Sequence, residues 1–126
     1  MQTESTLYYT SLCFRELKNY DQAASYAKQT ITEGISPNTA AYYNLLGSIY
    51  EEKQQFTAAS NAYKKGLTYQ INKNSYYRLG LLYDLKLKQG KSALTYYNLY
   101  LKNKELDKDD EPQVEYIKGR ISELKR

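Results

Sequence analysis

The chain has 126 residues, of which 41% are hydrophobic, and its 18 basic and 14 acidic side chains give a net charge of +4. This length suits one compact domain, and no apolar run approaches the roughly 18 residues that a bilayer span needs, so we expect a soluble protein without a membrane span. The chain has no histidine and a single cysteine. The commonest general base and metal ligand are therefore missing, and an internal disulfide is excluded. We predict no catalytic residue, no cofactor and no metal site.

The predicted elements are amphipathic helices arranged in pairs. Apolar residues recur at i, i+3, i+4 and i+7, a spacing that places them on one face of a helix. In chain order the predicted helices lie at about 4–18 with 21–33, 38–53 with 57–70, 74–88 with 91–105, and a last helix at about 112–125. Short turns join the two helices of each pair, so we expect antiparallel hairpins.

Residues with capping preferences support these boundaries. They are Asp21 and Thr57 at the starts of second helices, Gly34 at the end of one, and Ser36-Pro37 as the cap and first residue of the third helix. A polar acidic loop at 105–111 then precedes Pro112, which is placed to begin the last helix. This helix either caps the third hairpin or is the first helix of a fourth repeat.

One residue pattern occurs three times. The second copy reads Tyr43-x-x-Leu46-Gly47-x-x-Tyr50 with Ala59 and Tyr63, the third reads Tyr76-x-x-Leu79-Gly80-x-x-Tyr83 with Ala93 and Tyr97, and a weaker first copy reads Leu7-x-x-Thr10-Ser11-x-x-Phe14 with Ala23 and Ala27. The small residue of each first helix predicts close approach of the second helix, and the third copy has one residue more, which we assign to its turn. The repeats are delimited at about 4–36, 38–72 and 73–106.

Cys13 is the only candidate for a reactive side chain. It occupies the repeat position of Ile49 and Leu82, so we predict a small buried apolar residue and not a nucleophile. No carboxylate pair and no glycine-rich phosphate loop stands out. These observations support the prediction that the protein is not an enzyme.

The pattern resembles the tetratricopeptide repeat, in which a large residue, Leu-Gly and an aromatic residue are followed by alanine and a second aromatic residue. The resemblance covers most of the chain, although the first copy departs from it at Thr10, Ser11 and Ala27. It implies an all-α fold: a right-handed superhelix of antiparallel helix hairpins, with three repeats and a capping helix in a single domain of about seven helices. It also implies a protein–protein interaction scaffold whose concave groove, lined by first helices, binds a peptide or a partner helix.

The candidate groove residues lie on the first helices, on a second face next to the predicted core. They are Tyr8, Leu12 and Arg15 in the first copy, Asn44, Ser48 and Glu51 in the second, and Tyr77, Arg78, Leu81 and Asp84 in the third. The predicted groove thus has aromatic and aliphatic residues at its two ends and polar residues at its centre, which suits an amphipathic or extended peptide. Alternatively, these side chains pack under the second helices or against an upstream repeat. Only Arg78 matches the basic clamp with which some members of the family hold a carboxylate, so that ligand is disfavoured.

A second hypothesis concerns charge. The loop at 105–111 holds five acids and one lysine, which leaves 17 basic and 9 acidic residues elsewhere. Lys86, Lys88 and Lys91 gather near the third hairpin turn, where they could bind nucleic acid or an anionic surface. Lysines scattered over helix faces are more often a solubility device, so we expect a protein or peptide partner. The sequence leaves open further repeats or domains of a longer chain, and a cytoplasmic or, after removal of a leader, periplasmic location.

Overall fold

The computed structural model describes residues 3–32 and 37–126. All the regular secondary structure in these ranges is helical: α1 (Glu4–Glu16), α2 (Tyr20–Thr32), α3 (Thr39–Glu52), α4 (Phe56–Leu67), α5 (Lys73–Leu81), α6 (Gly90–Leu101) and α7 (Glu111–Leu124). A π-helical turn, Leu82–Lys86, continues α5, and a 3₁₀ turn, Lys108–Asp110, precedes α7. The prediction of an all-α protein is confirmed.

The helices form two compact units that divide between Ile71 and Asn72. In the first unit α1 packs on α2, α3 packs on α4, and α2 also packs on α3. In the second unit α5 packs on α6, and α6 packs on α7. The predicted pairing of neighbouring helices is therefore confirmed in each unit.

Each hairpin turns at a residue with left-handed backbone geometry. The φ angle is 62° at Lys18, 61° at Gln54 and 55° at Lys88. Glycine adopts this conformation at a lower cost than any other residue, yet none of the three turns has glycine there. The same sharp reversal thus recurs in all three hairpins.

These turns make two of the predicted caps wrong. α2 begins at Tyr20 and α4 at Phe56, so Asp21 and Thr57 lie within the first helical turn. Because the left-handed residue reverses the chain in so few residues, each second helix begins earlier than the capping preferences suggest. At α2 the Gln22 N–H donates instead to the Asn19 side chain, at 3.4 Å.

The start of α3 also differs from the prediction. α3 begins at Thr39 after Asn38, so Pro37 lies in the preceding turn and is not the first helical residue. The predicted cap Ser36 and the predicted helix end Gly34 lie outside the described residues.

The extra residue of the third copy lies within a helix and not in the turn as predicted. The π-helical turn absorbs it, and the Leu87 N–H donates to the Leu82 carbonyl at 2.8 Å, five residues back. A π turn is the usual way in which a helix accommodates one inserted residue. The prediction of a continuous α-helix over 74–88 is therefore wrong beyond Leu81.

Small residues permit close helix crossings, as predicted. A β-carbon on Gly47 would lie 2.8 Å from the Tyr63 ring, and one on Gly80 would lie even closer to the Tyr97 ring. In the first hairpin Ser11 takes the place of glycine, and its hydroxyl donates to the Ala23 carbonyl of α2 at 2.7 Å. A β-carbon closer than 3 Å to a ring atom would clash with it. Only the absence of a side chain at the two glycines therefore lets the tyrosine rings pack there.

The prediction that Cys13 is buried is wrong, because its side chain is exposed. Ile49, at the same repeat position, is fully buried in a cluster that contains alanines of α2. Cys13 is exposed and Ile49 is buried because α2 packs on this face of α3, whereas no helix among the described residues packs on the same face of α1.

Candidate partner-binding surface

In two hairpins a tyrosine links the second helix to an acid of the first. The Tyr63 hydroxyl donates to Glu51 Oε1 at 2.7 Å, and the Tyr97 hydroxyl donates to Asp84 Oδ2 at 2.8 Å. Each acid lies one helical turn beyond the glycine that the ring covers. Glu51 and Asp84 were predicted to face a groove, but both carboxylates contact their own second helix.

Asp84 is buried, with 2% of its side chain exposed. Arg120 of α7 binds its carboxylate through two hydrogen bonds, each of 2.8 Å. The Arg120 guanidinium and, to a smaller extent, the Tyr97 hydroxyl hold the pKa of Asp84 below its usual value. Burial, followed by the hydrogen bond to Asp84, raises the pKa of Tyr97. Asp84 therefore stabilises the second unit and is not accessible to a partner.

Arg120 was not predicted as the partner of Asp84. Arg120 lies in α7, outside the three repeated segments, and the repeat pattern therefore assigns it no contact. The sequence carries no clear signal for this pair, since the residues at the repeat position of Asp84, Arg15 and Glu51, differ in charge.

Arg15 and Ser48 are brought together in the first unit. Arg15 Nη1 donates to Ser48 Oγ at 3.0 Å, and the Ser48 hydroxyl donates in turn to the Leu45 carbonyl at 2.7 Å. The Arg15 side chain keeps 33% of its surface exposed. The pair lies in a shallow polar depression lined by Arg15, Glu16, Lys18, Tyr20, Ser48 and Glu52. This depression joins side chains of α1 to side chains of α3.

Tyr8 and Leu12 form the apolar part of the same surface. Both are half-buried, and Leu12 packs against the apolar cluster of the first unit. The Tyr8 ring lies 5.3 Å from the Tyr42 ring. The Tyr42 hydroxyl donates to Glu4, and burial raises the pKa of Tyr42 to about 12. The contact between the Tyr8 and Tyr42 rings thus links α1 to α3 at this surface.

Asn44 points into its own hairpin. Its side-chain oxygen lies against Gly66 of α4, where a β-carbon would come within 2.9 Å of it. A side chain at position 66 would collide with this oxygen, so Gly66 permits the close approach of α3 and α4. Asn44 is half-buried and contributes to the α3–α4 contact.

The second unit presents Tyr77, Arg78 and Leu81 on α5. Tyr77 and Leu81 are half-buried, and Arg78 is exposed. The Tyr77 ring packs at a tilt against Tyr100 of α6, with ring centroids 5.6 Å apart. The spacing of Tyr77 and Leu81 is that of Tyr8 and Leu12, so the two units present the same aromatic–aliphatic pair.

In residues 3–32 and 37–126, no group of acids or cysteine is arranged to hold a metal ion. No helix within these ranges is long and apolar enough to span a bilayer.

Paired antiparallel helices with a small residue beneath an aromatic ring define a class of all-α helical-hairpin repeats. The family model of the tetratricopeptide repeat matches residues 40–70, which cover nearly all of α3 and all of α4. The resemblance seen in the sequence is confirmed for this hairpin, and the repeat supports a general role in protein–protein interaction. No curated protein matches the chain.

Proposed function

We propose that the protein is an interaction scaffold, and not an enzyme, that binds an amphipathic peptide or a partner helix on the exposed faces of its first helices. The observation that carries this proposal is the half-buried pair Tyr-x-x-x-Leu, present in α1 as Tyr8 and Leu12 and in α5 as Tyr77 and Leu81. A partner that removes the remaining apolar surface of these side chains from water lowers the free energy of the complex.

The polar half of the surface favours a partner with carboxylates or free peptide carbonyls. A guanidinium has five N–H donors in a fixed plane, and the Arg15 contact with Ser48 uses one nitrogen. Because Ser48 and the weak contact with Glu16, at 3.9 Å, orient the Arg15 side chain, binding costs less side-chain entropy there than for a mobile arginine.

A selection from a random 12-residue peptide library, with residues 1–126 as bait, tests the proposal. We expect the wild-type protein to enrich peptides that combine aromatic or aliphatic residues with an acid. The affinity of a selected peptide should fall about tenfold or more in Leu12→Ser and in Arg15→Ala.

Tyr116→Ser serves as the matched control. Tyr116 is 41% exposed on α7, so this substitution also removes apolar surface, but it lies outside the proposed surface. Equal affinity of the wild type, Leu12→Ser and Arg15→Ala for every selected peptide would reject the proposed site, as would an equal loss in the control.

A further inference from the structure

The face of α1 opposite its hairpin partner is apolar and open. Tyr9 and Leu17 are 64% and 74% exposed, and with Leu12, Cys13 and Glu16 they line a shallow apolar depression. Isolated exposed apolar residues are common, but a contiguous row of them on one helix face is a mark of an interface.

The same face of α3 is a buried helix contact. The residues of α3 at the repeat positions of Tyr9 and Cys13 are Leu45 and Ile49, which are 6% and 0% exposed. They pack in one cluster with alanines of α2. The α1 face therefore has the position and composition of a helix–helix interface, and no helix among the described residues covers it.

The row formed by Tyr9, Cys13 and the C-cap residue Leu17 is symmetric. Tyr9 and Leu17 each lie four residues from Cys13, so an antiparallel copy related by a two-fold axis at Cys13 places each tyrosine against the leucine of the other copy. The small Cys13 then lies where the helices cross, as glycine does at the crossings within the chain. Antiparallel pairing also opposes the two helix dipoles.

We propose that α1 is a homodimer interface in which two copies of the chain pair antiparallel through Tyr9, Cys13 and Leu17. Leu17, the residue directly after α1, and Tyr9 are two of the three most exposed large apolar side chains among the described residues, and both line the same depression. A single helix pair buries less than the roughly 1,200 Å² of a standard interface, so the dimer is weak and reversible.

Sedimentation from about 10 to 500 μM tests the dimer, because a weak complex is populated only in the upper part of that range. We expect the average mass of the wild type to rise toward that of a dimer. Leu17→Lys introduces the residue that directly follows α3 at the same repeat position, Lys53, and should weaken association at least tenfold. Because Leu17 is 74% exposed, this variant keeps its helical circular dichroism.

Ile71→Lys is the matched control, since Ile71 is 66% exposed and the charge change is the same. It should dimerise like the wild type. A wild type that stays monomeric at every concentration overturns the proposal. So does association that Leu17→Lys leaves unchanged, or that Ile71→Lys weakens equally.

Cross-linking of Cys13 gives a second readout. A short bis-maleimide, to which each thiol adds without an oxidant, should join two wild-type chains. The control carries Cys13→Ser with Ser122→Cys, which moves the thiol to an exposed site on α7. We expect it to cross-link several-fold more slowly, and equal rates would overturn the assignment of Cys13 to the two-fold axis.

Discussion

Arg120 binds both carboxylate oxygens of Asp84, with Nε and Nη2 each 2.8 Å from an oxygen. Asp84 lies four residues after Gly80, and at the same place in the first hairpin Arg15 reaches from α1 to Ser48 of α3. In the first and third hairpins, this repeat position therefore contacts a later helix, where Arg15 donates and Asp84 accepts.

We expect Asp84→Ala to lower the free energy of unfolding by about 2–4 kcal/mol, because the change leaves the Tyr97 hydroxyl without its acceptor and removes the contact with α7. The matched change is Glu51→Ala, which removes the acceptor of Tyr63 from a half-exposed position and should cost about 1 kcal/mol. Urea denaturation measures both. Equal losses would contradict the distinct role of the Asp84 contact.

Acid should weaken the fold through Asp84. Its pKa is lowered in the folded protein, chiefly by Arg120, so its contribution is complete above the unfolded pKa and is lost as the pH falls through the folded pKa. In Asp84→Asn, the unfolding free energy should change less than in the wild type between about pH 5 and 3. The unfolding free energy of the variant should still fall somewhat with pH, because the Lys73 ammonium lowers the pKa of Asp110 as well. Superimposable wild-type and variant profiles would refute this assignment.

Glycine-to-alanine changes should separate packing from helix propensity. Gly47→Ala and Gly80→Ala should cost about 1–3 kcal/mol, because the new methyl group meets a tyrosine ring. Gly119→Ala should instead stabilise by up to about 1 kcal/mol, since nothing lies within 4 Å of that position on α7. Thermal melting of the three variants measures these effects. A loss at Gly119 like that at Gly80 would show that the ring contacts are not the cause.

Glycine at a hairpin turn should be favourable. Gln54 has a φ of 61°, and Gln54→Gly should raise the free energy of unfolding by about 0.5–1 kcal/mol by relieving the left-handed backbone. Its neighbour Gln55 has a φ of −96°, so Gln55→Gly should give no such gain. Denaturant midpoints compare the two variants, and a gain at both positions would exclude relief of backbone strain as the reason.

The sequence predicts the paired helices and their contacts well, because these depend on spacing. Apolar periodicity located the helices, and the small residues at Gly47 and Gly80 were assigned to close crossings that the structure contains. The left-handed turn residues were not predictable from composition. Lys18 and Gln54 have no preference for that geometry, and the tight reversal is set by the packing of the helices on either side.

The prediction of the groove residues was less accurate, because the direction of one of them depends on how the chain accommodates an inserted residue. One added residue after Gly80 is accommodated equally well by a longer turn or by a π turn, and only the second occurs. The direction of Asp84 depends on that choice and on Arg120, which lies 36 residues further along. Arg15 and Ser48 could be placed on one surface because α1 and α3 keep regular helical geometry up to those residues.

The helix crossings differ in the sizes of the two residues that meet: serine and alanine in the first hairpin, glycine and tyrosine in the other two. This difference also restricts which helices can pair while the chain folds. A tyrosine helix such as α4 or α6 laid against α1 would drive its ring into Ser11. Conversely, α2 laid against α3 would place Ala27 over Gly47 and leave a void where the Tyr63 ring belongs. Mispaired hairpins are thus either overfilled or hollow, so repeats of similar sequence can lie side by side in one chain without exchanging their helices.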